Sequence, residues 1–109
     1  MNTIIERVVI LPKVDNAGKS LTAEIARIER EILTIAGGYT KASVQGAWLD
    51  AGKVYTDRSL QYTITTPAAQ DAAIASMLPR WCSELRQEAL YSRSVAITPA
   101  ITLPSQLVA

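Results

Sequence analysis

The sequence predicts an α+β fold in which two helices cover one face of a four-stranded antiparallel sheet. Two amphipathic segments carry apolar residues at every third or fourth position, alternating segments of strand length lie around and between them, and turn residues mark the junctions. Their order is βαββαβ, the split βαβ or ferredoxin-like arrangement. One ferredoxin-like domain is expected at residues 1–98, followed by an apolar, proline-containing tail at 99–109.

The first strand is predicted at residues 4–11, where IIERVVIL is apolar on both faces, as is typical of a central strand. Pro12 is expected to end it, because proline has no amide hydrogen to donate. Ser20 is predicted to cap the first helix. Gly37 should end that helix, since glycine adopts the left-handed conformation of a helix end without steric cost. The helix carries one apolar stripe, formed by Leu21, Ile25, Ile28, Ile32 and Ile35.

A long hairpin is predicted next, with strands at residues 43–49 and 54–65 joined by a turn at 50–52. Alternation along the first strand puts Val44, Gly46 and Trp48 on one of its faces. In the second strand, one face carries Leu60, Tyr62 and Ile64. The second strand is longer than the usual five or six residues. Residues 55–59 are therefore expected either to bulge or to project beyond the sheet.

Thr66 is predicted to cap the second helix, with Pro67 as its first helical residue. Pro79 lies inside the apolar pattern, so a kink or a restart of the helix is expected near residues 76–78. Residues 89–98 are predicted to form the closing strand. The apolar tail is expected to pack on the domain or on a neighbour, and the two open sheet edges favour pairing between copies, so a homo-oligomer is predicted.

The composition indicates which partners and which cellular location to expect. Eleven Lys and Arg residues stand against ten Asp and Glu residues, and the basic residues are scattered, so a nucleic-acid partner is not expected. No apolar run approaches the roughly 20 residues that span a bilayer, and the first residues do not resemble a signal peptide. Cys82 is the only cysteine, which excludes a disulfide within the chain. A cytoplasmic setting without membrane attachment is expected.

The residue types also exclude most familiar catalytic sites. The chain has no histidine, a single cysteine, and none of the glycine spacings of nucleotide-binding loops, so neither a metal nor a cofactor is predicted. Cys82 is expected to be a core or boundary thiol, because no histidine is present to activate it. Three arginines, at positions 80, 86 and 93, are expected to be solvated charges rather than anion contacts.

The hairpin is the best candidate for a ligand site. It carries four of the chain's six aromatic residues, Tyr39, Trp48, Tyr55 and Tyr62. Asp57 and Arg58 lie close by in sequence, and aromatic faces beside a carboxylate suit a cationic ligand with a planar ring. The alternative is that Trp48 and Tyr62 only pack on the sheet, while Asp57 and Arg58 are solvated charges of the hairpin.

Three short motifs carry a resemblance to a known family, and they are Gly37-Gly38-Tyr39-Thr40, Gly46-Ala47-Trp48-Leu49-Asp50 and Asp57-Arg58-Ser59. Their order resembles that in small ferredoxin-like proteins of phages and bacteria, in particular the phage S-adenosylmethionine lyases, whose fold is similar to that of the trimeric PII signalling proteins. The resemblance covers roughly residues 5–97. It implies a trimer with a site between subunits, in the host cytoplasm if the protein is encoded by a phage.

The resemblance also implies a reaction and roles for individual residues. In the family the substrate's own carboxylate displaces methylthioadenosine from the sulfonium centre and forms homoserine lactone, so positioning and desolvation supply most of the acceleration. Asp57 falls nearest the family's glutamate and would hold the substrate ammonium as the catalytic residue. Trp48, which replaces a tyrosine, and Tyr55 would flank the sulfonium or adenine, while Tyr39 and Arg58 would complete the substrate site.

Two hypotheses of different class follow from these observations. As a lyase, the protein would consume S-adenosylmethionine and release methylthioadenosine. As a non-catalytic module, either a PII-like ligand-binding protein or a phage assembly protein, it would leave that compound unchanged. The aromatic hairpin favours a ligand, whereas the apolar tail favours assembly.

Overall fold

A computed structural model describes residues 3–104 and confirms the ferredoxin-like prediction. The elements are β1 (Ile4–Pro12), α1 (Thr22–Ala36), β2 (Thr40–Asp50), β3 (Lys53–Pro67), α2 (Ala68–Glu84) and β4 (Tyr91–Ile97). The sheet order is β2-β3-β1-β4, and every neighbouring pair of strands is antiparallel. The last part of the predicted tail, residues 105–109, lies outside the described residues.

The hydrophobic core lies between the sheet and the two helices. β1 is a central strand, as its apolar sequence predicts, and it contributes Val9 and Leu11 to the core. Val9 pairs with Tyr62 of β3, which faces the helices together with Ile64. The stripe of α1 and three residues of the α2 region, Ile74, Trp81 and Leu85, close the core from the other side. On the opposite face of the sheet, called here the open face, no helix formed by residues 3–104 is packed.

The ends of α1 agree only in part with the sequence. Gly37 closes the helix in the left-handed conformation (φ 82°), and its amide donates to the Leu33 carbonyl, as predicted. The helix begins one residue later than expected, with Leu21 in the capping position. Ser20 is therefore not the N-cap, although its hydroxyl accepts the Thr22 amide at 3.3 Å. The buried Leu21 side chain, rather than a polar cap, fixes this end of the helix.

The hairpin of β2 and β3 projects beyond the rest of the sheet. The two strands pair without interruption from Thr40 and Thr63 to Asp50 and Lys53, so no bulge forms. Pairing of β1 with β3 ends at Ser59, and the part of the hairpin beyond that point is a two-stranded ribbon. The turn residues Ala51 and Gly52 both have positive φ (50° and 77°), as a two-residue type I′ hairpin turn requires.

The helix α2 runs through Pro79 without a break, so the predicted restart near residues 76–78 is wrong. Proline removes one hydrogen bond from the helix, but the buried Ile74 and Trp81 on either side hold both halves against the core. At the start of the helix, Pro67 rather than Thr66 occupies the capping position. The amide of Ala68 is satisfied by the Thr3 carbonyl at 2.8 Å, which ties α2 to the beginning of β1.

Candidate functional site

A groove lies where the projecting hairpin meets the loop between β1 and α1. It has a volume of about 550 Å³ and is lined by residues 12–16, Trp48, residues 56–58 and Gln87. We call it the hairpin groove. Three of the five residues predicted to form a ligand site, Trp48, Asp57 and Arg58, therefore lie together on its wall. A volume of this size falls within the range that holds small molecules in proteins.

Asp57 owes its position to the glycine opposite it. In the pairing of β2 with β3, Asp57 faces Gly46, and a Cβ atom on Gly46 would lie only 2.7 Å from Asp57 Oδ1. The carboxylate therefore rests against the bare backbone of β2. Among residues 3–104, Asp57 forms no hydrogen bond and no ion pair, so its charge is available to a ligand that enters the groove.

Trp48 and Tyr55 form a stacked pair on the hairpin, where they face each other across the two strands. Their ring centroids are 5.5 Å apart and their planes differ by 17°. Trp48 is 51% exposed, which leaves one face of the indole open to solvent. Tyr55 also has a cation–π contact with Lys53, whose Nζ lies 5.2 Å from the ring centroid. Tyr55 thus supports Trp48 without lining the groove itself.

Tyr39 lies at the other end of β2 from the groove. It precedes Trp48 by nine positions of extended chain, a distance of about 30 Å. Its ring packs edge-on against Tyr62, with centroids 5.3 Å apart. Tyr62 is fully buried on the helix-facing side, so the predicted aromatic set divides into a core pair and an exposed hairpin pair.

An ion-pair clamp, which the sequence did not reveal, builds the far wall of the groove. Asp15 Oδ1 accepts the amides of Ala17 and Lys19, and Asp15 Oδ2 accepts a bond from Arg86 at 3.0 Å. Arg86 also pairs with Glu24 in the first turn of α1. The amide of Lys19, followed by Arg86, lowers the pKa of the Asp15 carboxyl. Arg86 is thus an ion-pair partner rather than the solvated charge expected from sequence, and Arg80 likewise pairs with Glu31 and Glu84.

A second polar cluster lies on the helix-facing side of β2. Glu29 Oε2 accepts hydrogen bonds from the buried Tyr62 hydroxyl at 2.5 Å and from Lys41 Nζ at 2.7 Å. Burial opposes ionisation of Glu29, but these two donors outweigh it and lower its pKa. Burial and the bond to Glu29 raise the pKa of Tyr62. The alternation of β3 predicted that Tyr62 shares a face with Leu60 and Ile64, but nothing local in the sequence pointed to its partner 33 residues earlier.

Acid is expected to weaken the fold through Glu29. Because its pKa is lower in the folded chain, its ionisation stabilises the fold above the unfolded value of 4.5, and this contribution is lost as the pH falls through the lowered value. Urea unfolding at about pH 7 and about pH 3 should therefore show a smaller acid loss for Glu29→Gln than for the parent chain. An equal acid loss in both proteins would contradict this assignment.

No protein-family model matches the chain, and no curated protein matches its sequence. One similar solved structure is CutA1, a divalent ion tolerance protein from Ehrlichia chaffeensis, with a TM-score of 0.66 and 10% identity over 93% of this chain and 87% of that one. Another is the periplasmic divalent cation tolerance protein CutA from Archaeoglobus fulgidus, with a TM-score of 0.63 and 13% identity over 93% of this chain and 88% of that one. A Bacillus cereus protein related to NIF3 is similar over 90% of this chain, which spans only 26% of that protein (0.64, 7%). At these identities the likeness shows the ferredoxin-like, PII-like fold.

Two further features of the described residues bear on the site. No group of three or more Cys, Asp or Glu side chains in residues 3–104 is arranged to hold a metal ion. Within the same residues, neither helix is long and apolar enough to cross a membrane.

Proposed function

We propose that this protein binds a small organic cation with a planar ring in the hairpin groove. The observation that carries the proposal is the Asp57 carboxylate, which has no partner among the described residues and lines a groove of about 550 Å³ together with the exposed indole of Trp48. A cation beside an indole face is stabilised by the ring's electrostatic potential, and a nearby carboxylate adds a direct charge interaction. Arg58 also lines the groove and suits a carboxylate on the same ligand.

S-adenosylmethionine has all of these groups, namely a sulfonium, an ammonium, a carboxylate and an adenine ring. The resemblance to the phage lyases makes it the first compound to test. Asp57 would hold the ammonium and Trp48 would contact the sulfonium or the adenine, with Tyr55 stacked behind the indole. Tyr39, which packs on the core with Tyr62, would contribute to the stability of the fold and would not contact the ligand.

Turnover of that compound is the second candidate function, and the same groove would serve it. A substrate carboxylate oxygen would attack the carbon next to the sulfonium, the carbon–sulfur bond would break, and its electron pair would stay on sulfur. The products are methylthioadenosine and homoserine lactone, and no proton is transferred. The role of the protein would be to hold the carboxylate and the carbon in line, which Asp57 and Arg58 can do by fixing the ammonium and one carboxylate oxygen.

We also propose that the chain is a homo-oligomer, with a trimer favoured by the resemblance and a second copy bordering the groove. The open face carries exposed apolar side chains on β4, including Tyr91 and Val95, which are 53% and 56% exposed. The outer edges of β2 and β4 have no strand beside them in the described chain. A two-stranded ribbon is marginally stable alone, so the projecting hairpin also favours contact with a neighbouring copy.

Light scattering in solution tests the homo-oligomer and should give a mass above the 11.8 kDa of one chain.

Asp57→Asn is expected to weaken binding of S-adenosylmethionine by roughly 10- to 100-fold, because a charged hydrogen bond is lost while the side-chain shape is kept. Titration calorimetry measures the dissociation constant. The matched control is Asp50→Asn, the same change at the hairpin turn outside the groove, which should bind as the parent chain does. Gly46→Ala should also weaken binding, since its Cβ would displace the Asp57 carboxylate.

Chromatography of the same mixtures separates the two candidate functions. Intact S-adenosylmethionine after long incubation with binding protein would identify a ligand-binding module, and release of methylthioadenosine that Asp57→Asn abolishes would identify a lyase. Absence of binding at millimolar concentration, or equal binding by both asparagine variants, would refute the groove as the site.

A further inference from the structure

A second cleft lies on the helix layer, on the other side of the sheet from the open face. It has a volume of about 420 Å³ and runs between α1 and α2. Ile35 and Met77, both half-buried, form its apolar floor, while Arg27 and Arg30 stand on its rim. Thr34 and Glu31 complete the lining. We call it the helix cleft. Because copies that associate through the open face would leave the helix layer exposed, the cleft stays accessible in such an oligomer.

The charges of α1 leave two arginines unmatched beside this cleft. Each of its three acidic side chains is paired with a cation from another element: Glu24 with Arg86, Glu29 with Lys41, and Glu31 with Arg80. Arg27 and Arg30 form no ion pair with any residue in the range 3–104. The carboxylate of Glu31 also lines the cleft, but Arg80 pairs with it, so the two arginines leave the rim locally positive. The whole chain has a net charge of only +1.

Apolar floor and cationic rim together select for a ligand that has both an apolar body and a negative head. An isolated phosphate or sulfate would gain nothing from Ile35 and Met77, and an uncharged apolar compound would leave the guanidinium groups without a counter-ion. Arginine presents a planar fork of donors that matches a carboxylate in two hydrogen bonds. The volume accommodates a chain of about ten carbons, within the range typical of small-molecule sites.

We propose that the helix cleft binds an amphiphilic carboxylate, such as a medium-chain fatty acid, with its chain on Ile35 and Met77 and its head on Arg27 and Arg30. The site shares no lining residue with the hairpin groove, so the two sites are independent.

Decanoate, below its micelle concentration, is the probe, and chemical-shift titration by NMR is the measurement. Saturable shifts are expected at Ile35 and Met77, with a dissociation constant in the range of about 0.1 to 1 mM. Decyltrimethylammonium, which has the same chain and the opposite charge, should bind at least about tenfold more weakly. Hexanoate should also bind about tenfold more weakly, because it covers less of the apolar floor.

The double variant Arg27→Gln with Arg30→Gln should weaken decanoate binding at least about tenfold. Arg93→Gln is the matched control, since Arg93 is an exposed arginine on β4, and it should leave binding unchanged. Asp57→Asn should also have no effect, which keeps the result separate from that of the hairpin groove. Equal binding of the cationic and anionic probes, shifts located elsewhere, or an unchanged dissociation constant in the double variant would overturn the proposal.

Discussion

Replacing Asp71 with alanine is expected to lower the free energy of unfolding by about 3–5 kcal/mol. Asp71 lies in the first turn of α2 and binds Arg7 of β1 through both carboxylate oxygens, at 2.7 and 3.0 Å. The third guanidinium nitrogen of Arg7, Nη1, donates to the Ser92 hydroxyl of β4 at 2.8 Å. Only 12% of the Arg7 side chain and 9% of the Asp71 side chain are exposed, so loss of the carboxylate leaves a covered guanidinium without a counter-charge.

Urea unfolding of Asp71→Ala and of an exposed counterpart tests this expectation. Glu31→Ala removes one of the two partners of Arg80, whose side chain is 53% exposed and keeps its ion pair with Glu84, and should cost no more than about 1 kcal/mol. The double variant Arg7→Met with Asp71→Leu should recover much of the loss, since neither residue would then be a buried charge. A cost for Asp71→Ala as small as that for Glu31→Ala would show that the pair contributes little.

Trp81→Ala is expected to be similarly destabilising, by about 3–5 kcal/mol. Trp81 is the largest of the fully buried side chains. It lies on α2 and belongs to the core between the sheet and the helices. Its removal leaves a cavity that the surrounding side chains cannot fill without leaving their packed positions. The indole Nε1 has no hydrogen-bond partner among the described atoms, so the cost comes from packing rather than from a lost polar contact.

The other tryptophan supplies the matched control. Trp48→Ala is the same substitution at a side chain that is 51% exposed, and its loss of the stacking with Tyr55 should cost no more than about 1 kcal/mol. Trp81→Phe, which retains a ring, should cost less than Trp81→Ala and remains measurable if the alanine variant fails to fold. If the Trp48 and Trp81 alanine variants unfold at the same urea concentration, the core assignment is wrong.

Some features of the hairpin were predictable from the sequence and others were not. Alternation correctly put Tyr62 on one face with Ile64, and the length of β3 correctly indicated a bulge or a projecting ribbon, of which the ribbon is observed. Adjacency in sequence suggested one aromatic site, but a strand separates its ends by about 3.3 Å per residue, so Tyr39 and Trp48 lie far apart. The partial site that remains, Trp48 with Asp57 and Arg58, joins residues of the two hairpin strands that are offset by two and three positions from direct pairing.

The sequence by itself determined the order of elements, the central position of β1, the buried stripe of α1 and the left-handed Gly37. These features depend on the periodicity of burial and on local backbone conformation, which neighbouring residues express directly. Only the tertiary structure decided that Arg7 meets Asp71, that Arg86 joins Asp15 to Glu24, and that Glu29 meets Tyr62. Partners separated by 33 to 71 positions leave no periodic signal, because their contact depends on how whole elements pack against each other.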